Sequence, residues 1–243
     1  MTKVILQITK IILVIILFLF TISCKFIGGG EKGSGNVVTE ERKVSQNFTH
    51  VAVSTSLDAI IVQSSNTSVS VEADDNLQKL IKTEVENNEL KIFVDGNMGY
   101  ATKAEITVHM PTIKGLSASS SASLETKNSI TADNLSLNVS SSGDMIVNVK
   151  ANSINCNTGS SADLTIEGST NQLTIEAASS SDVNASRLTA QNVTVNASSS
   201  SSVTVNPIKS LNAKASSSAD ILYKNRPQSI KEEEFSSGSI SEL

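Results

Sequence analysis

The chain has 243 residues, of which 39% are hydrophobic, enough for one domain with a core of its own. With 3% aromatic residues and no Trp, that core must use small and β-branched side chains, which suit thin stacked layers better than a bulky centre. A net charge of -5 with no cluster of Lys and Arg excludes a nucleic-acid surface, because such binding needs grouped cations to displace counterions from phosphates.

Lys3 and Lys10 precede an unbroken apolar run over residues 11–20, and Thr21, Ile22, Ser23 and Cys24 follow. The run is shorter than the roughly 20 residues a membrane-spanning helix needs, and its basic flank is that of a signal peptide. Cys24 behind the small Ser23 resembles a bacterial lipoprotein signal, which implies a lipid on the Cys24 thiol and residues 1–24 as the signal. Thr21 departs from that pattern, which usually carries Leu three residues before the Cys; an uncleaved N-terminal anchor would equally tether the chain. Residues 25–36 are glycine-rich and read as a tether, with Gly28, Gly29 and Gly30 lacking the strand and helix that would make a phosphate loop. Cys156 then has no disulfide partner and, with no His beside it, reads as a small buried hydrophobe.

Residues 37–115 read as a β-rich cap that includes a first coil. Val51 to Val62 alternates on either side of Thr55, and residues 69–73, 90–94 and 105–110 alternate as strands. Residues 74–81 start with Asp and space their apolar residues as a helix would.

From residue 116 to 243 the chain repeats with a period of about twenty residues: LSASSSASLE from Leu116, LNVSSSGDMIV from Leu137, INCNTGSSADLTI from Ile154, and three more from Leu173, Val193 and Leu211. The first apolar residues after the Ser clusters are Leu124, Met145, Leu164, Val183, Val203 and Ile221. Apolar residues alternate before and after each cluster, which means strands, and the alternation turns Asn138, Asn155, Asn157, Glu176, Asn196 and Lys214 toward water. The expected fold is therefore all-β: a parallel, right-handed β-helix or solenoid of about twenty-residue Ser-rich coils under an N-terminal cap. A sandwich of hairpins is the alternative, and it would need tight turns of the Asn-Gly kind. Ser120, Ser141, Ser161, Ser180, Ser200 and Ser217 mark the turns, where stacked hydroxyls could bond one another. Pro227 interrupts the pattern, and the stretch from Phe235 reads as a partial coil.

Phe48-Thr-His-Val-Ala-Val-Ser, Val69-Ser-Val-Glu-Ala-Asp-Asp-Asn-Leu, Leu90-Lys-Ile and the Ser-Ser-Ser-Ala-Asp turns resemble the head GIN domain family of auto-transporter adhesins, exported proteins of Gram-negative bacteria. The resemblance runs from Val37 to the C-terminus and implies a β-helical fold. Relatives usually carry Gly where this chain has Ser or Ala in the turns.

Asp144, Asp163, Asp182 and Asp220 share one place in four coils, with Ser123 and Ser202 in two others. Such a column offers oxygen ligands for Ca²⁺, but solvated Asp residues about 4.8 Å apart repel only weakly and cap turn amides without a metal. No cofactor is expected. Paired Asp on a β-helix could also act on polysaccharide, but only His50 and His109 accompany them, and no long loop breaks the coils into a cleft. The expected function is a non-catalytic lipoprotein of the bacterial cell envelope, at the outer membrane or cell surface. It would bind a glycan or a protein there, or alternatively serve as a periplasmic structural element.

Overall fold

The computed structural model describes residues 29–44 and 47–243. Cys24, Thr21 and the apolar run before them lie outside the described residues. Among the described residues every regular element is a strand: β1 (Val37–Arg42), β2 (His50–Val53), β3 (Asp58–Gln63), β4 (Ser68–Asp74), β5 (Ile81–Glu86), β6 (Glu89–Val94), β7 (Ala104–Met110), β8 (Gly115–Ala118), β9 (Ser123–Thr126), β10 (Ile130–Val139), β11 (Asp144–Thr158), β12 (Asp163–Ala177), β13 (Asp182–Ala197), β14 (Ser202–Ser216), β15 (Asp220–Tyr223), β16 (Ser229–Phe235) and β17 (Ser239–Glu242). They form a β-solenoid of roughly 7 turns, with parallel coils of about 19 residues.

The register explains why the period is so regular. Leu116, Leu137, Cys156, Ile175, Val195 and Ala213 stand one above the other through β8, β10, β11, β12, β13 and β14, and all are buried. Each fully buried aliphatic side chain contributes about 1.5–3 kcal/mol, but only if the coils on either side cover it, so no coil is stable alone. The two strands expected in each repeat are joined into one long strand, as in β11 and β12, whose pairing skips Asn152 and Asn171 where the chain bends.

Between long strands the chain turns on two consecutive residues with positive φ. These pairs are Thr55–Ser56, Ser120–Ser121, Ser141–Ser142, Ser160–Ser161, Ser179–Ser180, Ser199–Ser200, Ser217–Ser218 and Ser236–Ser237. Side chains other than Gly, Asn or Asp rarely take this conformation, which costs a Cβ-bearing residue about 1–2 kcal/mol. The corners are joined by main chain rather than by hydroxyls. The N–H of Ser121 donates to the Ser141 carbonyl at 3.1 Å, Ser142 to Ser160 at 3.0 Å, Ser161 to Ser179 at 3.0 Å and Ser180 to Ser199 at 3.0 Å. The hydrogen-bonded sheet thus continues around the corner. The residue after each pair from the second corner to the seventh is small and shielded: Ala122, Gly143, Ala162, Ser181, Ser201 and Ala219. Ser201 Oγ donates to the Ala177 carbonyl at 3.1 Å, which satisfies one buried hydroxyl.

The cap is threaded differently from a simple lid. The first coil, β2 and β3, lies between β6 and β7 on one side and β8 and β9 on the other, all parallel. After β3 the chain therefore runs beneath its own first coil and climbs back past it. β4 pairs antiparallel with β7, β1 with β4, and β5 with β6, so the stack closes on reversed strands. Residues 74–81 do not form a helix. After Asp74 the chain makes successive turns, with Leu77 N donating to Asp74 O at 2.9 Å and Leu80 N to Leu77 O at 2.9 Å, before β5 begins. Helical spacing serves there only to bury Leu77 and Ile81.

Of the segment read as a tether, residues 31–36 are bound down. Glu31 N donates to Asn97 O at 2.8 Å, Gly33 N to Tyr100 O at 2.9 Å, and Gly35 N to Asp74 Oδ1 at 2.7 Å. A Cβ on Gly33 would stand 2.6 Å from the Asp74 carboxylate, so this glycine serves close approach rather than freedom.

Candidate functional site

One groove runs along the solenoid across five coils, with a volume of about 680 Å³. Its position follows from side-chain size. One wall is the water-facing column Asn138, Asn157, Glu176, Asn196 and Lys214, in register at one residue per coil. Two residues further on, next to the Ser corner, the column is Ser140, Gly159, Ala178, Ser198 and Ser216, and its small side chains leave the space open. The floor is made of Val139, Thr158, Ala177 and Ala197, all buried. Successive residues of each wall lie about 4.8 Å apart, the spacing of paired strands.

The polar wall is only partly satisfied from within. Asn157 Nδ2 donates to Asn138 Oδ1 at 3.1 Å, and Asn196 Nδ2 donates to Glu176 Oε1 at 2.6 Å. An amide has two donor hydrogens and two acceptor positions, so both asparagines retain free capacity toward the groove. At the far end Lys214 Nζ lies 5.3 Å from the centre of the Phe235 ring. Phe235 is in register with Ser216, at the end of the small-residue wall, and is 50% exposed.

The aspartate column lies on the other side of the corner. Asp144, Asp163 and Asp182 are neighbours on β11, β12 and β13, Ser202 separates them from Asp220, and Ser239 Oγ donates to Asp220 Oδ1 at 2.7 Å. Partial burial and the adjacent Asp144 hold the Asp163 carboxyl above the ordinary carboxylate range. Among the described residues no three His, Cys, Asp or Glu side chains gather as a metal site. In the cap, a cleft of about 740 Å³ between Thr55, Ser56 and residues 96–105 contains Asp58, whose carboxyl is raised by burial and by Glu105. Lys103 pairs with Glu72 at 2.5 Å and with Glu105 at 3.4 Å in the same region.

Ser120, Ser141, Ser161, Ser180, Ser200 and Ser217 all take positive φ in the corners, with exposed side chains. Cys156 is fully buried in the apolar column and burial drives its thiol pKa far up, which leaves no thiolate for chemistry. His109 Nδ1 lies 3.5 Å from Ser64 Oγ, and that hydroxyl donates to Asn66 O at 2.9 Å instead. The polar wall of the groove was readable as water-facing residues. The small wall was missed, although Gly159, Ala178 and Ser198 sit in register; a column of small residues beside a column of long ones was its signal.

A family model described as "Putative auto-transporter adhesin, head GIN domain" matches residues 47–227. Among solved structures, a "putative adhesin" from Bacteroides fragilis superposes with a TM-score of 0.82 at 22% identity, covering 88% of this chain and 100% of its own. A "putative lipid binding protein" from Parabacteroides distasonis gives 0.74 at 23% identity over 88% and 99% of the two chains. A "putative adhesin" from Parabacteroides merdae gives 0.71 at 18% identity over 88% and 98%. At these identities the likeness is one of fold. No curated protein gives a significant match.

Proposed function

We propose, for a chain that belongs to the family described as "Putative auto-transporter adhesin, head GIN domain", that it is a non-catalytic binding module of the bacterial cell envelope. It acts as an adhesin, held to the outer membrane or cell surface by lipid on Cys24. The observation that carries this reading is the groove: an open, preformed trough whose polar groups recur once per coil on a rigid sheet. Repetition of one weak contact along a stiff surface suits a polymeric partner better than a single transition state, whose stabilisation needs differently placed groups around one reacting bond. The described residues support the non-catalytic reading, since Cys156 is buried without a charge partner and the aspartates form a spaced row with Ser202 between them. One structural neighbour is named for lipid binding, but the amide and charged wall of this groove favours a hydroxyl-rich ligand over an acyl chain.

Surface display is tested with a membrane-impermeant amine reagent on intact cells, compared with lysed cells, since Lys150, Lys209 and Lys224 are exposed. Labelling of intact cells is the expected result. Labelling only after lysis would place the solenoid in the periplasm and replace the adhesin reading with the structural one.

A further inference from the structure

The geometry points to an extended, uncharged polysaccharide, laid along the solenoid axis in the groove, as the ligand; this rests on the reading of the chain as a binding module. The wall from Asn138 to Lys214 spans five coils, about 19 Å at the strand spacing of roughly 4.8 Å. A pyranose in an extended β-linked chain advances by nearly one such step. Each sugar unit can therefore meet one wall residue without losing register. A peptide strand advances only about 3.3 Å per residue and would slip out of step within a few residues.

The chemistry of the wall selects in the same direction. Asn157 and Asn196 each spend one amide hydrogen within the protein and keep their carbonyl oxygen and a second hydrogen for a partner. Sugar hydroxyls, which donate and accept at once, match that mixed capacity. The wall carries Glu176 and Lys214 two coils apart, so a polyanion meets the carboxylate and a polycation meets the ammonium. The small residues of the opposite wall admit a ring edge-on. At the end of the trough the half-exposed Phe235 presents an aromatic face, on which the apolar side of a terminal sugar can stack.

The test is calorimetric titration of the full chain in detergent with neutral β-linked oligosaccharides of about six units, long enough to span the groove. A two-unit fragment and a uronic-acid oligomer of equal length serve as comparisons. The expected result is saturable binding of a neutral hexamer, much weaker binding of the fragment, and no gain with the uronate. The double variant Asn157→Ala with Asn196→Ala, and separately Phe235→Ala, should weaken binding by roughly tenfold each. All three side chains lie on the surface, and unchanged thermal melting would confirm that the variants fold. Absence of binding by every neutral oligosaccharide, or binding that the variants leave unchanged, overturns the inference while surface labelling of intact cells leaves the binding-module reading standing. Labelling only after lysis would instead remove that underlying reading.

Discussion

Glu232 stands in register with Ala213, so the apolar column that passes through Leu116, Cys156 and Ile175 ends in a carboxylate. Two residues on, Glu234 ends the next column in the same way, above Ala215. A further coil or a second molecule stacked on β16 would have to bury both charges. The variant with Glu232→Val and Glu234→Val should therefore associate end to end. Light scattering over a concentration series should show growth for the variant and none for the parent chain.

The corners hold Ser where a left-handed backbone would favour Gly. Ser161→Gly should be neutral or stabilising by up to about 1 kcal/mol, since it relieves a strained Cβ at some cost in chain entropy. Ser161→Val should destabilise by about 1–2 kcal/mol or more, because a β-branched side chain tolerates this region least. Urea denaturation of the two variants compares them directly. Equal stability of the Val variant would show that the corner does not depend on its backbone conformation as described.

Asp74 is fully shielded, and its pKa is lowered. Burial pushes it up, but N–H donors from Gly35 and Thr102, each at 2.7 Å, outweigh burial and hold it below the ordinary range. A depressed carboxyl contributes stability above its unfolded value of about 3.9, and that contribution is lost as pH falls through the folded value. Asp74→Asn should flatten the acid limb of the stability curve. It should also raise hydrogen exchange at the amides of Gly35 and Thr102, because an amide cannot accept on both sides.

Asp163 has the opposite sign. Its raised carboxyl binds a proton more readily in the fold than in the unfolded chain, so it weakens the fold above the folded pKa and does so less as pH drops. Asp163→Asn should raise the melting temperature slightly at neutral pH and leave it unchanged near pH 3, where both forms are neutral. A fall at neutral pH would show that the ionised carboxylate stabilises the fold, contrary to that sign.

Gly168 lies where β12 passes β11, with φ of +117 and no room for a Cβ beside the Val149 main chain. Gly168→Ala should cost about 2–4 kcal/mol, because neither the backbone angle nor the contact can relax without breaking the ladder. A thermal melt within a degree of the parent would contradict that.

Most of the solenoid was legible because each position meets the same surroundings in every coil. Alternation alone separated Leu137 and Cys156 from Asn138 and Asn157, and stacking turned that local pattern into columns. What was hidden depends on relations the residues do not carry individually. Ser has no φ signature, so the left-handed corner and its main-chain ladder could not be read from Ser160 or Ser161. The spacing of Leu77 and Ile81 fits a helix and a run of turns equally well. That β6 and β7 pass beneath β2 and β3 is settled by parallel pairing with strands far along the chain.

The strap over Asp74 also sets a path for force. Any tension that reaches the fold through its N-terminal segment enters first at Glu31 and must break its bonds to Asn97 and Gly99 before it reaches Gly33, Gly35 and then β1. A partner held in the groove pulls on coils several layers away, so the cap and not the groove is where load is transferred. Mechanical strength and ligand contact are thereby separated, and the groove wall can change its side chains without loosening the grip at the base.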